Sequence, residues 1–257
     1  MSAPVDSTEV VQVREVAQSF SSEESGTRLI YDQVSFSVSA GEIFVILGGS
    51  GCGKSTLMKQ IIGLLPPSAG TIRVLGHDMY AGDDRGDVLT RIGVMFQSGA
   101  LFGSMTLLEN VMLPLQMHTD LPAEAREEVA RAKLGLVGLS DSAALLPAEI
   151  SGGMAKRAAI ARALALDPPL LFLDEPSAGL DPVTSAGLDQ LILDLRATLH
   201  ATFVVVTHEL ASILAIADRC IMLDRGAHGM IAIGDPRVLR DSSDDPRVRA
   251  FFRREAA

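Results

Sequence analysis

The sequence is poor in cysteine, in long apolar runs and in positive charge. Its two cysteines, Cys52 and Cys220, cannot form a disulfide framework, which indicates a reducing compartment. It has no run of about 18 apolar residues, and the segment after Met1 lacks the basic and apolar regions of a signal peptide. We therefore expect a cytosolic protein without a membrane span. The net charge of −10 argues against sequence-independent binding to nucleic acid, which requires clustered lysine and arginine.

Hydrophobic residues, by contrast, make up 47% of the 257 residues, enough for a substantial core in one large domain or two small ones. Strand-like and helix-like segments alternate over Leu170–Ile233, with a helix expected at Pro182–Leu199 and a strand at Thr202–Val206. This pattern is typical of an α/β fold with a parallel sheet. Near the start, strands at Val10–Val16 and Leu29–Val38 with a turn over Ser19–Thr27 predict an antiparallel sheet. Between 97 and 167 the periodicity is helical, which predicts a helical insert.

A glycine-rich stretch matches the phosphate-loop pattern of two fixed glycines followed by Lys-Ser. It lies between an apolar strand at Ile43–Leu47 and helical periodicity over Lys54–Leu65, the context that the motif requires. Backbone N–H groups of such a loop surround phosphate oxygens, while Lys54 reaches the terminal phosphates and the Ser55 hydroxyl ligates Mg²⁺. The stretch therefore predicts a site for a nucleoside triphosphate. Its residues are Gly48, Gly49, Ser50, Gly51, Cys52, Gly53, Lys54, Ser55 and Thr56.

Two acids end the apolar strand Leu170–Leu173. In a protein that also has a phosphate loop, Asp174 is expected to fix Mg²⁺ through its water shell. Glu175, one residue farther out, is expected to polarise the attacking water as general base. The alternative for Glu175 is an acid that simply follows the strand at the start of a helix.

A second anion site is predicted at Ser151, Gly152, Gly153 and Met154, which precede the helical segment Ala155–Leu166. Small residues at a helix start leave several backbone N–H groups accessible to an anion. Because the chain already has its own phosphate loop, this second loop fits best as part of a site on another chain. The alternative is a flexible glycine hinge at a helix cap.

Polar residues also follow other predicted strands. Gln97 and His208 come directly after buried strands, at the edge where open α/β sheets bind ligands, and we expect His208 to bond the γ-phosphate. The stretch Ser177–Asp181 is a turn that precedes a helix with Pro182 in its first turn. Asp181 is either a site residue or a simple N-cap.

In this order the motifs resemble those of an ATP-binding cassette (ABC) ATPase, and the resemblance covers nearly the whole chain. The matches are the phosphate loop with Walker A, Gln97 with the Q-loop, Ser151–Met154 with the signature, Asp174-Glu175 with Walker B, Ser177–Asp181 with the D-loop and His208 with the switch histidine. The resemblance implies a single ABC domain over residues 1–257. Its expected parts are a RecA-like P-loop core with an antiparallel β subdomain (about 9–98 and 168–235), a helical subdomain (99–167) and a C-terminal tail (236–257).

The resemblance also implies ATP and Mg²⁺ as cofactors, with ATP hydrolysis by Glu175 and His208. The metal would be held by Ser55, Gln97 and Asp174, and the nucleotide by the phosphate loop, Gln97, the signature residues and Asp181. Phe20 is expected to stack on adenine, with Tyr31 as the alternative. Members of the family form dimers in which each signature caps the other chain's γ-phosphate, so a homodimer is expected. Hydrolysis reopens the pair and drives a membrane permease, whose coupling helix sits beside the Q-loop.

Within the family, three segments resemble the ATPase of Mla-type lipid transporters: Phe96–Phe102, Ile150–Arg157 with Met154 in place of the usual Gln, and Asp245–Phe251. This resemblance implies movement of phospholipids between the inner and outer membranes. The expected partners are a permease and an MCE-domain protein, with a small STAS-domain subunit as a further candidate. The expected location is peripheral, on the cytoplasmic side of the inner membrane.

Two other functions are considered. One keeps the ATPase but changes the cargo, to an amino acid or another small solute, or to lipoprotein release. The other is a soluble ABC protein acting on nucleic acid or ribosomes, against which the negative charge, the single cassette and the lack of a long heptad run all argue. An apolar cluster after Gln97 is either a groove for the permease helix or core of the helical subdomain. It consists of Leu101, Phe102, Met105, Leu108, Met112 and Met117.

Overall fold

The structure is a computed structural model that describes residues 9–22, 26–81 and 85–253. The strands in these ranges are β1 (Glu9–Ser22), β2 (Gly26–Ser39), β3 (Ile43–Gly48), β4 (Ala69–Val74), β5 (His77–Asp78), β6 (Ile92–Met95), β7 (Leu170–Asp174), β8 (Thr202–Val206), β9 (Arg219–Asp224) and β10 (Gly229–Gly234). The helices are α1 (Lys54–Ile61), α2 (Arg85–Thr90), α3 (Leu107–His118), α4 (Ala123–Leu136), α5 (Gly152–Ala163), α6 (Pro182–Leu199), α7 (Leu210–Ile216), α8 (Pro236–Ser242) and α9 (Pro246–Arg253). Single 3₁₀ turns occur at Ser140–Ser142 and Pro147–Glu149.

The chain divides into two compact units. One contains the described residues up to Leu89 together with those from Val204 onward, and the other contains Thr90–Phe203. Strand β8 begins in the second unit and ends in the first. The finer division into core, helical subdomain and tail stays a prediction.

The antiparallel sheet predicted near the start of the chain is confirmed in the first unit, with strand order β2-β1-β4-β5. In the shared register, Val11 of β1 lies opposite Val38 of β2 and Val74 of β4, and all three are buried. The turn predicted over Ser19–Thr27 is wrong at both ends. Strand β1 continues to Ser22 and β2 begins at Gly26, because side chains of this polar segment pair across the hairpin, as Ser21 and Thr27 do at 3.1 Å.

Parallel pairing is confirmed for two strand pairs, one in each unit. Strand β3 is parallel to β9 in the first unit, and β6 is parallel to β7 in the second. Every residue of β3 and β7 is buried, as expected for strands covered on both faces. Strand β10 departs from the parallel prediction and runs antiparallel to β9, because residues 225–228 are too few for a crossover.

The helical insert is confirmed in the second unit, where α3, α4 and α5 pack against one another. A capping box fixes the start of α3, since the Thr106 hydroxyl accepts from the Glu109 N–H and the Glu109 carboxylate accepts from the Thr106 N–H. Two short helices, α2 and α8, were not expected from the periodicity. Among the helices that the structure describes, none combines the length and apolar character needed to cross a membrane.

A buried polar network joins the first helix to the antiparallel sheet. The Tyr31 hydroxyl donates to Gln60 Oε1 at 2.7 Å, and the Gln60 amide donates to Gln18 Oε1 at 2.6 Å. The Gln18 amide in turn donates to the Ser19 carbonyl at 2.9 Å. All three linked side chains are buried, so each lost bond would leave a desolvated polar atom. The network therefore fixes α1 relative to β1 and β2.

Candidate functional site

The predicted strand, loop and helix around the phosphate-loop motif are present in the first unit. Strand β3 ends at Gly48 and α1 begins at Lys54, with Gly53 as N-cap at φ 102°. The helix is shorter than the periodicity indicated and ends at Ile61 instead of Leu65. The N–H of Leu57 closes the first helical turn on the Gly53 carbonyl at 2.8 Å. Earlier N–H groups of the helix thus point into the loop, as an anion site requires.

The two fixed glycines of the motif are required by close contacts. A Cβ on Gly48 would lie 2.2 Å from the Leu223 carbonyl oxygen and 2.7 Å from Cys52 Sγ. A Cβ on Gly53 would lie 2.7 Å from the ring of Tyr31. Both glycines also have positive φ, at 147° and 102°, where other residues are strained. Packing and backbone conformation therefore both exclude larger residues.

Lys54 lies at the start of α1 and is buried. Its ammonium donates to the carbonyls of Gly48 at 2.8 Å and Gly49 at 3.2 Å. The positive charge of Lys54 is therefore held beside the first residues of the loop. A cavity of about 190 Å³ beside it is lined by loop residues and by Ile30. Ser55 also lines this cavity and is an exposed residue. Cys52 is buried, and this burial raises the pKa of its thiol, although the Lys54 charge acts against the shift.

The two candidate adenine-stacking aromatics have different environments. Tyr31 is fully buried, with its ring against Gly53 and its hydroxyl on Gln60, so it has no face open to a base. Phe20 is 45% exposed on β1. Burial therefore favours Phe20, whose contact with adenine stays a prediction. His208 is also in this unit, exposed just beyond β8, with Nε2 3.8 Å from a Glu209 carboxylate oxygen.

The second unit contains the other predicted site residues. Asp174 ends β7 and Glu175 follows it, and both are buried. Glu175 has the left-handed φ of 47°, unusual for a residue with a Cβ. Its carbonyl accepts from the Ala178 N–H at 3.2 Å, which closes a tight turn. Glu175 is therefore part of a constrained turn, and the alternative of an ordinary acid at a helix start is wrong.

The signature and D-loop segments touch each other in the same unit. Ser151 caps α5, where its hydroxyl accepts from the Met154 N–H at 3.3 Å, and Ser151 and Gly152 are exposed. A Cβ on Gly153 would lie 2.6 Å from Thr184 Cγ2, and one on Gly152 would lie 3.7 Å from Leu180. Small residues therefore let the start of α5 approach Leu180 and the first turn of α6.

Asp181 is the N-cap of α6, the second of its two predicted roles. Its carboxylate accepts from the N–H groups of Val183 at 3.0 Å and Thr184 at 3.1 Å. The Thr184 hydroxyl is a further donor at 2.5 Å, and its bond is the largest single cause of the lowered pKa of Asp181. A direct contact of Asp181 with nucleotide stays a prediction.

One charged residue beside the site was not identified from the sequence. Lys156 is 8% exposed on α5, and its ammonium donates to the Gln97 carbonyl and, at 3.3 Å, to the Glu175 carbonyl. Burial lowers the pKa of Lys156, while Asp174 and Glu175 oppose that change. A signal was available, since this lysine interrupts a face of α5 whose other members are small and apolar. Gln97 itself has an exposed side chain.

The donor groups fit a magnesium ion held mainly by phosphates. Within the described ranges no group of three or more His, Cys, Asp or Glu side chains is placed to form a metal cage. Mg²⁺ in phosphoryl-transfer sites is bound through one or two protein oxygens together with substrate phosphates and water. Ser55, an exposed residue that lines the loop cavity, has a hydroxyl oxygen of the kind that ligates such a metal ion.

The fold and the loop together define a P-loop nucleotide-binding protein. The profile of the family described as ABC transporter matches residues 31–178, more than half of the chain. The chain belongs to this family, as the motifs indicated.

Relatives of known name support the same assignment. The chain is 43% identical over 231 residues to the intermembrane phospholipid transport ATP-binding protein MlaF of Escherichia coli, covering 88% of this chain and 84% of MlaF. It is 42% identical over 244 residues to the probable ribonucleotide transport ATP-binding protein mkl of Mycobacterium tuberculosis, covering 94% of this chain. The chain spans 66% of the length of mkl.

A solved structure has the same fold. The dimeric post-hydrolysis state of the ATP-binding cassette MJ0796, bound to ADP and Pi, superposes with a TM-score of 0.79 at 30% identity. The match covers 88% of this chain and 98% of MJ0796. The expected ABC ATPase fold is therefore confirmed.

Gly48→Ala is predicted to destabilise the protein, because its Cβ would overlap the Leu223 carbonyl and the residue would keep a strained φ. We expect a loss of about 1–3 kcal/mol in the free energy of unfolding. Urea unfolding of the purified chain measures it. The matched control is Gly49→Ala, where nothing lies within 4 Å of the added Cβ and φ is not positive. Equal stability of the two variants would contradict the packing argument.

Proposed function

We propose that this chain is the ATP-hydrolysing, energy-coupling subunit of a membrane transporter that moves phospholipids between the inner and outer membranes. It acts as a head-to-tail homodimer, peripheral on the cytoplasmic side of the inner membrane. The observation that carries the proposal is the loop cavity with Lys54 and Ser55 in a chain 43% identical to MlaF over most of both lengths.

The chemistry follows from the residue types. The N–H groups of the loop and the Lys54 ammonium hold the β- and γ-phosphates of ATP. Mg²⁺, when bound, neutralises phosphate charge, and Ser55, Gln97 and Asp174 are the side chains proposed to hold it. Glu175 polarises the attacking water as general base, and His208 bonds the γ-phosphate. Phe20 stacks on the adenine ring.

The dimer follows from the two phosphate-facing segments. The phosphate loop occupies the first unit, whereas the exposed Ser151 and Gly152 begin α5 in the second. A helix start with exposed N–H groups attracts an anion, and a head-to-tail pair supplies the partner's γ-phosphate to it. The dimeric arrangement of MJ0796 supports this assembly.

Phospholipid is the favoured cargo because the match to MlaF covers most of both chains, and the MlaF of Haemophilus influenzae matches similarly at 42% identity. The proposed partners are a permease and an MCE-domain protein, with a small STAS-domain subunit as a further candidate. The name of mkl supports a second candidate, transport of a small polar solute such as a ribonucleotide.

The apolar cluster after Gln97 supports a membrane partner. All six of its residues are at least partly exposed, with Phe102 at 52% and Met117 at 68%, which favours the groove over the core interpretation. Large exposed apolar side chains such as Phe102 and Met117 are typical of interaction sites when they form a patch, and methionine adapts to irregular partner surfaces. We assign this cluster to contact with the permease.

Glu175→Gln is predicted to retain ATP binding and to slow hydrolysis by roughly 10² to 10⁴, because the amide cannot act as general base. Unhydrolysed ATP should then hold the dimer closed. Steady-state phosphate release and size-exclusion chromatography with ATP measure the two effects. The control is Glu128→Gln on the exposed side of α4, which should hydrolyse ATP normally. Unchanged turnover in Glu175→Gln would reject the assigned role.

Two inactive variants are predicted to complement each other. In a mixed dimer of Ser151→Arg and Lys54→Ala chains, one site keeps both intact groups and the other has neither. Half of randomly formed dimers are mixed, and each mixed dimer has one intact site of its two. Mixing should therefore restore at most about a quarter of wild-type turnover. Replacing the Lys54→Ala chain with one carrying both lesions is the control, and it should restore none. No recovery in the first mixture, with both chains folded by circular dichroism, would count against the shared site.

Affinity purification from native membranes tests the cargo. The wild-type chain should retrieve a multi-span permease, an MCE-domain protein and phospholipid, whereas Phe102→Glu should lose all three while keeping ATP binding. Mass spectrometry identifies the proteins and lipids. Recovery of a permease with a periplasmic solute-binding protein would instead support the small-solute alternative. If Phe102→Glu loses ATP binding to the same extent as it loses these partners, the assignment of the cluster to permease contact is rejected.

A further inference from the structure

We propose that Lys156 is a positioning residue for hydrolysis, which holds the Glu175 turn against the Gln97 carbonyl and so sets the direction of the Glu175 side chain. The inference deepens the proposed function and rests on it, since it assumes that Glu175 is the general base. It concerns only groups within the second unit, where all three residues lie.

The placement of Lys156 is unusual for a lysine. Its side chain is 8% exposed, and both hydrogen-bond acceptors identified for its ammonium are backbone carbonyls, those of Gln97 and Glu175. A buried ammonium loses hydration and must recover it through well-placed acceptors. These two carbonyls belong to segments 78 residues apart in sequence, residue 97 after β6 and residue 175 after β7. Lys156 therefore joins two of the motif segments directly.

The Glu175 turn is the element that such a bond can control. Glu175 has a φ of 47°, a conformation that residues with a Cβ adopt only when their surroundings maintain it. Its carbonyl accepts from Ala178 N–H at 3.2 Å and from Lys156 Nζ at 3.3 Å. Lys156 therefore adds a second hydrogen bond to the carbonyl that closes the turn. A change of φ or ψ at Glu175 would redirect its carboxylate, and a general base requires accurate placement.

A second buried lysine in the same unit serves as a matched control. Lys133 on α4 is 7% exposed, and its ammonium pairs with the Asp167 carboxylate instead of with a motif residue. Replacement of either lysine by methionine removes a buried charge and keeps the length of the side chain. A general effect of losing a buried lysine should therefore appear in both variants.

The first experiment compares Lys156→Met and Lys133→Met with wild type, by kcat, by KM for ATP and by melting temperature. We expect Lys156→Met to lower kcat about 10-fold to 100-fold, the loss typical of a small misplacement, with KM within about twofold. Lys133→Met should keep kcat. Lys156→Arg, which retains the charge and two donors, should lie closer to wild type. If Lys156→Met is unfolded, Lys156→Arg is compared with Lys156→Gln instead. Equal kcat values for these two variants would overturn the inference.

The second experiment repeats Lys156→Met in the Glu175→Gln background. If Lys156 acts through Glu175, the substitution should cost little further turnover once the carboxylate is gone. Equal losses in both backgrounds would overturn the inference, as would a lowered melting temperature with unchanged kcat. These outcomes, in which wild type still hydrolyses ATP, reject the role of Lys156. If wild type itself hydrolyses no ATP, the proposed function fails instead. If Lys156→Met has the same kcat as an active wild type, the inference about Lys156 is rejected while the proposed function stands.

Discussion

The phosphate loop depends on the contact between Gly53 and the ring of Tyr31. A Cβ at Gly53 would come within 2.7 Å of that ring, so the start of α1 can pack closely only because the residue is glycine. The same tyrosine bonds Gln60 on α1, and Gln60 bonds Gln18 on β1. Because these polar atoms are buried, their satisfaction requires one register of the strands and helix. The antiparallel sheet thus supports the loop structurally, and its strand β1 also carries Phe20.

In the second unit, helix α5 has a comparable role. Besides Lys156, its Arg157 donates to the carbonyls of Val137 and Gly187, and its Arg162 donates to those of Gly99 and Ala100. Three cations of one helix therefore bond backbone carbonyls of several segments. The signature residues begin this helix, so an anion bound at Ser151 would act on an element already tied to the Gln97 and Glu175 segments.

Elements with strong local signals were predicted closely. Helix α6 and strand β8 have the predicted bounds, because Asp181 and Pro182 mark the start of the helix and the strand is a short apolar run. The turn over Ser19–Thr27 was wrong, because its serines and threonine pair across a long hairpin, a tertiary effect that composition does not show. Helices α2 and α8 were missed because segments of six and seven residues contain too few turns to display periodicity.

For the site, the sequence alone determined the chemical groups and their order along the chain: the loop glycines, Lys54, the acids at the end of β7 and the small residues at the start of α5. These depend on spacing within a few residues, which a sequence displays directly. Only the tertiary structure decided that Tyr31 is buried while Phe20 is exposed, and that Lys156 bonds two motif segments. Burial and hydrogen-bond partners are set by contacts between residues far apart in sequence, and no local pattern specifies them.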